Sequence, residues 1–188
     1  MDKKEALKIV KKDGFELENL SDHFKKDKDI VLEAVKQWGN TLVYADDSLK
    51  KDREIVLEAI KQDGLVLEHV DNSLKKDKEI VLEAVKKNGY ALDYADESLK
   101  KDREIVLEVI KQDGHELENL DASLKKDKDF ILEAVKQWGN VLQYADESLT
   151  KDKEIALNAV KQNNYALQFV DDSLKNDPDI LAIVNKDK

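Results

Sequence analysis

Residues 52–76 read DREIVLEAIKQDGLVLEHVDNSLKK, and this stretch is one copy of a unit repeated along the whole chain. Its opening aspartate recurs at Asp2, Asp27, Asp52, Asp77, Asp102, Asp127, Asp152 and Asp177, always 25 residues apart. Seven full copies and a half copy, residues 177–188, account for everything after Met1. A fixed period of this size marks a solenoid, because so small a unit can bury its apolar face only against its neighbours. The expected fold is all-α, an α-solenoid of 25-residue helix-turn-short-helix repeats forming a single elongated domain over residues 1–188.

With repeat positions numbered from that aspartate, position 1 is a good N-cap, since its carboxylate accepts the free N–H groups of a first helical turn. Position 3 is acidic in six of the seven full copies, Lys4 being the exception, and position 10 is Lys in all seven. Both placements suit the helix dipole. Position 13 is Gly in six copies and Asn164 in the seventh, the two residues that best tolerate a left-handed residue closing a helix. A first helix, A, is therefore predicted over positions 2–12, with positive φ at the glycine. Its apolar positions 4, 5, 6, 8 and 9 cover an arc of roughly 200°, so it is contacted on two sides. Glu33 and Lys36 lie three apart on the polar face. A shorter helix, B, is predicted over positions 14–19 around the Leu at position 16, with Asp at position 20 capping a separate D-x-S-L turn.

Composition bounds what the chain does. It has 188 residues, 41% hydrophobic and 39% charged, six Gly, one Pro and no Cys. Disulfides and thiolate metal sites are thereby excluded. The start, MDKKEALKIVKKDG, has no signal-peptide core, and no run approaches membrane-spanning length. A cytoplasmic monomer that neither enters a membrane nor binds nucleic acid directly is the expectation; secretion routes without a readable signal stay open. The net charge of −10 comes from 42 acidic against 32 basic residues, spread along the chain, and phosphate contacts would need clustered Lys and Arg.

The ends depart from the period. Position 4 is Glu5 in the first copy, against Ile30, Ile55, Ile80, Ile105, Phe130, Ile155 and Ile180 later, as in a capping repeat. Asp177-Pro178 sets Pro at the first helical position, and Asn185 stands where other copies have Val or Ile. Both ends read as finished. Alternate copies differ at positions 18 and 19: even copies have Tyr44-Ala45, Tyr94-Ala95 and Tyr144-Ala145, odd copies Asn19-Leu20, His69-Val70, Asn119-Leu120 and Phe169-Val170. Duplication of larger blocks accounts for this, or else two repeats form one structural unit of about 50 residues. The pattern D-R-E-I-V-L-E-A-[IV]-K-Q-[DN]-G, followed by L/Y-A-L-x-Y-A-x-x-S-L-K-x-D, resembles the tandem repeats of the domain of unknown function 4116 family, over residues 2–188. That resemblance implies a helical repeat array and no activity, cofactor or catalytic residue. The layout is also similar to leucine-rich variant repeats.

No P-loop, dinucleotide fingerprint, H-E-x-x-H or G-x-S-x-G motif is present. His23, His69 and His115 fall at different repeat positions and form no ligand pair. Asp27-Lys28-Asp29 and Asp127-Lys128-Asp129 lack the loop glycine of a calcium site and sit at helix starts, where capping accounts for them. No catalytic residue, metal site or cofactor is expected. Variation among copies gathers at positions 12, 14, 15, 17, 18 and 21. On an α-helix, positions 14 and 18 share a face, with the pairs Phe15/Asn19, Asn40/Tyr44, Leu65/His69, Tyr90/Tyr94, His115/Asn119, Asn140/Tyr144 and Tyr165/Phe169. A varying ridge of this kind suits a non-enzymatic protein–protein interaction or scaffold module. Its candidate partner-binding residues are Trp38, Tyr44, Tyr90, Tyr94, Trp138, Tyr144 and Tyr165. Against recognition stands packing, because Tyr pairs with Ala, and Asn or His with Leu or Val, as if volume were held constant. The alternative function is an acidic mimic or inhibitor occupying a basic site of another protein.

Overall fold

Every repeat starts where an aspartate takes up unpaired backbone N–H groups. The structure, a computed structural model, describes residues 1–112 and 121–185. The Asp27 carboxylate accepts from the N–H groups of Asp29 and Ile30 at 3.1 and 3.4 Å, and Asp52, Asp77 and Asp152 repeat the arrangement. At Asp2 the cap is reciprocal, since Glu5 reaches back to the Asp2 N–H. This gives the acidic residue at position 4 of the first copy a role of its own. Each such cap contributes about 1 kcal/mol.

Contacts gather the chain into two compact units, Met1–Leu99 and Lys100–Lys188. The first carries α1 (Lys3–Lys12), α2 (Lys28–Gln37), α3 (Arg53–Ile60) and α4 (Lys78–Lys87). The second carries α5 (Arg103–Gln112), α6 (Lys128–Gln137), α7 (Lys153–Gln162) and α8 (Pro178–Val184). The described residues are helices and turns without a strand. Within each unit the long helices stack on one another. Positions 4, 5, 8 and 9 form the core: Ile30, Val31, Ala34 and Val35 in α2, and Ile155, Ala156, Ala159 and Val160 in α7, have no solvent exposure. The leucines at position 6, such as Leu32, Leu57 and Leu82, are only half-buried, so the buried arc is narrower than the sequence pattern suggests.

The glycines correct the expected backbone. Among the described residues none has positive φ, and helix A closes instead on an extended residue at position 12, such as Trp38 at φ −141° and ψ 106°. Gly at position 13 then opens a 3-10 helix. Its requirement is steric: a Cβ on Gly39 would lie 2.5 Å from the carbonyl oxygen of Ala59, at position 8 of the next repeat. Gly14 meets Ala34, Gly64 meets Ala84, and Gly139 meets Ala159 in the same way. Gly114, Leu117 and the pair His115/Asn119 lie outside the described residues.

A glutamine at position 11 locks this seam. Gln37 accepts from the Gly14 N–H at 3.1 Å and donates to the Val10 carbonyl, so one side chain satisfies groups at both sides of the preceding helix's end. Gln62 does the same for Gly39 and Val35, and Gln162 for Gly139 and Gln137. In the fourth repeat position 11 is Lys87. Among the described residues no side chain takes up the Gly64 N–H there, and α3, whose end should be clamped, stops at Ile60 with Lys61 as its C-cap. A second seam runs through the turns, where the N–H at position 20 donates to the position 24 carbonyl of the preceding repeat: Asp46 to Lys25 at 3.0 Å, Asp71 to Lys50 at 3.1 Å, Asp146 to Lys125 at 2.8 Å. The D-x-S-L reading holds, for Asp46 accepts from both the N–H and the hydroxyl of Ser48.

Two outcomes follow from the seam. Gly39→Ala should destabilise by about 2–3 kcal/mol through overpacking, and Gly39→Asn by as much, measured by urea denaturation. A left-handed glycine would instead tolerate asparagine. Conversely, Lys87→Gln should stabilise by about 1 kcal/mol, the net worth of the hydrogen bonds it installs; an unchanged midpoint would contradict the clamp.

Candidate interaction surface

Helix B is a 3-10 helix over positions 13–18 in each described copy: Gly14–Asn19, Gly39–Tyr44, Gly64–His69, Gly89–Tyr94, Gly139–Tyr144 and Asn164–Phe169. The position 12 residue caps it. Asp13 accepts from the Phe15 N–H at 3.0 Å, Asp63 from Leu65 at 2.9 Å, Asn88 from Tyr90 at 3.0 Å and Asn163 from Tyr165 at 3.0 Å. Trp38 and Trp138 occupy the same position without a side-chain cap, so the variation there divides caps from aromatic rings.

A 3-10 helix has three residues per turn, and this revises the face expected to carry the site. Positions 14 and 17 share an edge, whereas position 18 lies about 120° from position 14. Position 15 is inward in the described copies after the first: Thr41, Val66, Ala91, Val141 and Ala166 are buried, whereas Glu16 is exposed. Position 14 is outward, and so is position 17. Phe15 is 44% exposed, Tyr90 54% and Tyr165 78%. Trp38, 55% exposed, stands beside Phe15 of the preceding repeat with ring centroids 5.9 Å apart.

The seven aromatic residues marked out by sequence therefore part company. Trp38, Tyr90 and Tyr165 are exposed; Trp138 is half-buried. Tyr44, Tyr94 and Tyr144, at position 18, are also half-buried. Tyr44 lines a shallow crevice with Lys25, Lys26 and Asp46, and Tyr94 one with Lys75, Lys76 and Asp96. Partial burial, followed by the charge of Glu18, whose carboxylate accepts the phenol's hydrogen bond, holds the Tyr44 pKa above its usual value. The position 18 tyrosines are packing residues with one wet edge. Phe15 belongs to the exposed group, and its place at position 14 was the signal for it.

Most charge near this surface is already engaged. The cation at position 2 bridges the carboxylates at positions 1 and 3 of the next repeat: Lys28 stands 2.8 Å from both Asp52 and Glu54, Lys3 and Lys153 make the same two contacts, and Arg53 reaches Asp77 and Glu79. Hydrogen bonds to Asp52, then Glu54, push the Lys28 pKa up to about 12. Asp152 is held below the usual carboxylate range by its bond from Lys128, against the opposing effect of partial burial. Asp46, Asp71 and Asp96 are lowered by the serine hydroxyl two residues on, then by that serine's N–H. Glu58, Glu83 and Glu108 pair with the Lys three residues later. Among the described residues no group of three or more His, Asp or Glu could hold a metal ion, and no helix is long and apolar enough to cross a membrane.

Stacked helix pairs with a recurring seam within each unit and an outward 3-10 edge define a tandem helical-repeat protein. The chain belongs to the family described as Domain of unknown function (DUF4116), which matches residues 2–50, 52–100, 102–150 and 152–183. Each of the first three matches spans two 25-residue copies, in keeping with the alternation at positions 18 and 19. No curated protein and no solved structure matches the chain.

The two aromatic classes should separate on mutation. Tyr90→Ala should change stability by about 0.5 kcal/mol or less, as exposed substitutions do. Tyr94→Ala should cost about 2 kcal/mol, a fraction of the loss for a fully buried ring. Urea midpoints in the reverse order would contradict the assignment of faces.

Proposed function

We propose that the protein is a non-enzymatic interaction module that binds another protein through the outward edge of its 3-10 helices, as a cytoplasmic monomer. The observation that carries this reading is the exposure of large aromatic residues at one repeat position, with Phe15 and Trp38 in contact on the surface. Folding gains less from an aromatic ring left about half in water than from a buried one, whereas tryptophan and tyrosine are the residues that dominate binding at interfaces. The surrounding seams are rigidly specified, so the edge is presented on a firm support. The acidic-mimic alternative has less support. The carboxylates at positions 1, 3 and 20 are occupied with capping and ion pairing, and a mimic needs them turned outward as a dense field.

Affinity capture from the native cell, with mass spectrometry of the bound proteins, tests this directly. The wild-type protein should retain a partner that Trp38→Ala/Tyr90→Ala loses, while the variant keeps its helical circular dichroism and its urea midpoint. Equal retention by the variant, or loss of binding only in high salt with the rings irrelevant, would overturn the reading.

A further inference from the structure

The edge has a second row beside the aromatic one. In a 3-10 helix position 17 stacks on position 14, and in the first unit the exposed position 17 residues are Glu18, Val43, Glu68 and Asp93. The acids of this row are left out of the ion-pair ladder that the position 1 and 3 carboxylates form, although Lys50, Lys51 and Lys75 line a crevice with Glu68, and Lys75 and Lys76 one with Asp93. Glu68 and Asp93 form no ion pair among the described residues, and Glu18 faces the Tyr44 hydroxyl rather than a cation; the nearest contact from a lysine is Lys75 Nζ on the Glu68 carbonyl oxygen, at 2.8 Å. In the second unit the described residues at position 17 are Gln143 and Gln168. The acids at position 17 are thus a property of the first unit, where the apolar residues of the edge are Phe15, Leu65 and Tyr90 at position 14 and, in the second copy, whose position 14 is Asn40, Trp38 at position 12.

Resting on the interaction reading above, the geometry points to a particular partner for the first unit: an extended, basic protein segment whose apolar and cationic residues each recur every third position. The apolar column would lie along Phe15, Trp38, Leu65 and Tyr90, and the cationic column along Glu18, Glu68 and Asp93. The spacing supports this. Packed helices stand about 8–10 Å apart, and a polyproline II chain advances about 9 Å per turn of three residues. Four stacked helices set their first and last anchors about 24–30 Å apart, and four triplets of such a chain set theirs about 28 Å apart. Carboxylates not consumed by folding supply the charge complementarity that steers a cationic partner and fixes its register. A polyproline II segment also carries little conformational entropy to lose on docking.

The probe is a fluorescein-labelled peptide of four Leu-Pro-Arg triplets, titrated with the full chain and read by fluorescence anisotropy. A peptide of four Leu-Pro-Glu triplets is the control. The basic peptide should bind and the acidic one should not. Trp38→Ala/Tyr90→Ala should weaken binding at least about tenfold, and Glu18→Gln/Glu68→Gln/Asp93→Asn at least about fivefold, with a flatter salt dependence. Glutamine at position 18 of the chain can still accept the Tyr44 hydrogen bond, so that variant keeps its fold. Equal binding of both peptides, or binding indifferent to the three carboxylates, would overturn the basic-partner assignment. If the peptides fail to bind while the native partner is still captured through Trp38 and Tyr90, the inference falls and the interaction reading stands. If ring-dependent capture is also absent, both fall.

Discussion

The structure depends on one close approach, that of the position 13 backbone to the position 8 carbonyl of the next repeat. A Cβ on Gly39 or Gly64 would enter the Ala59 or Ala84 carbonyl oxygen at 2.5 and 2.2 Å, so at these seams the residue has to be glycine. Once helix A of one repeat is that near the corner of the last, a position 11 glutamine can span the gap, and a position 2 cation can reach the caps of the next repeat. The 25-residue period is what returns the same atoms to the same seam. Burial of Ile and Val at positions 4, 5 and 9 supplies the driving force, but that force would accept many stackings. The seam selects one.

Polar groups divide accordingly into those the stacking uses and those it leaves. Aspartates at position 1 cap their own helix and receive a cation from the preceding repeat. Aspartates at position 20 hold the serine turn and, through their N–H, the turn before it. These networks are made of exposed or half-exposed pairs, so each adds little stability; their consistency along the array is what fixes register. What the stacking leaves at the surface is an edge: the exposed rings of Phe15, Trp38, Tyr90 and Tyr165, and in the first unit the carboxylates of Glu18, Glu68 and Asp93 at position 17. Residues on this exposed edge vary from copy to copy.

Much of the fold was legible because the period is fixed and the caps are chemically plain. Asp at position 1, the buried pattern of helix A and the D-x-S-L turn all follow from local rules. The glycine was misread for a physical reason. Glycine after a helix commonly takes a left-handed turn, and nothing local distinguishes that from a demand for close approach, which depends on Ala in a different repeat. The position 11 glutamine was hidden likewise, since its partners lie 23 and 27 residues away. Helix B forms where the sequence placed it, but the face assigned to the ridge was set by an α-helical period. With three residues per turn Tyr44, Tyr94 and Tyr144 turn inward, and Phe15 joins the exposed set. Sequence alone could not choose between the two helix types in a six-residue stretch.

Native-state hydrogen exchange at the position 13 amides tests the seam most directly. The Gly14, Gly39 and Gly139 N–H groups, each held by a glutamine of the next repeat, should exchange slowly, at rates near those of the helix cores. Gly64, for which position 11 of the next repeat is Lys87 instead, should exchange markedly faster although its backbone is as buried. Equal protection at all four glycines would show that stacking alone shields them, and that the glutamine clamp does not hold the repeats together.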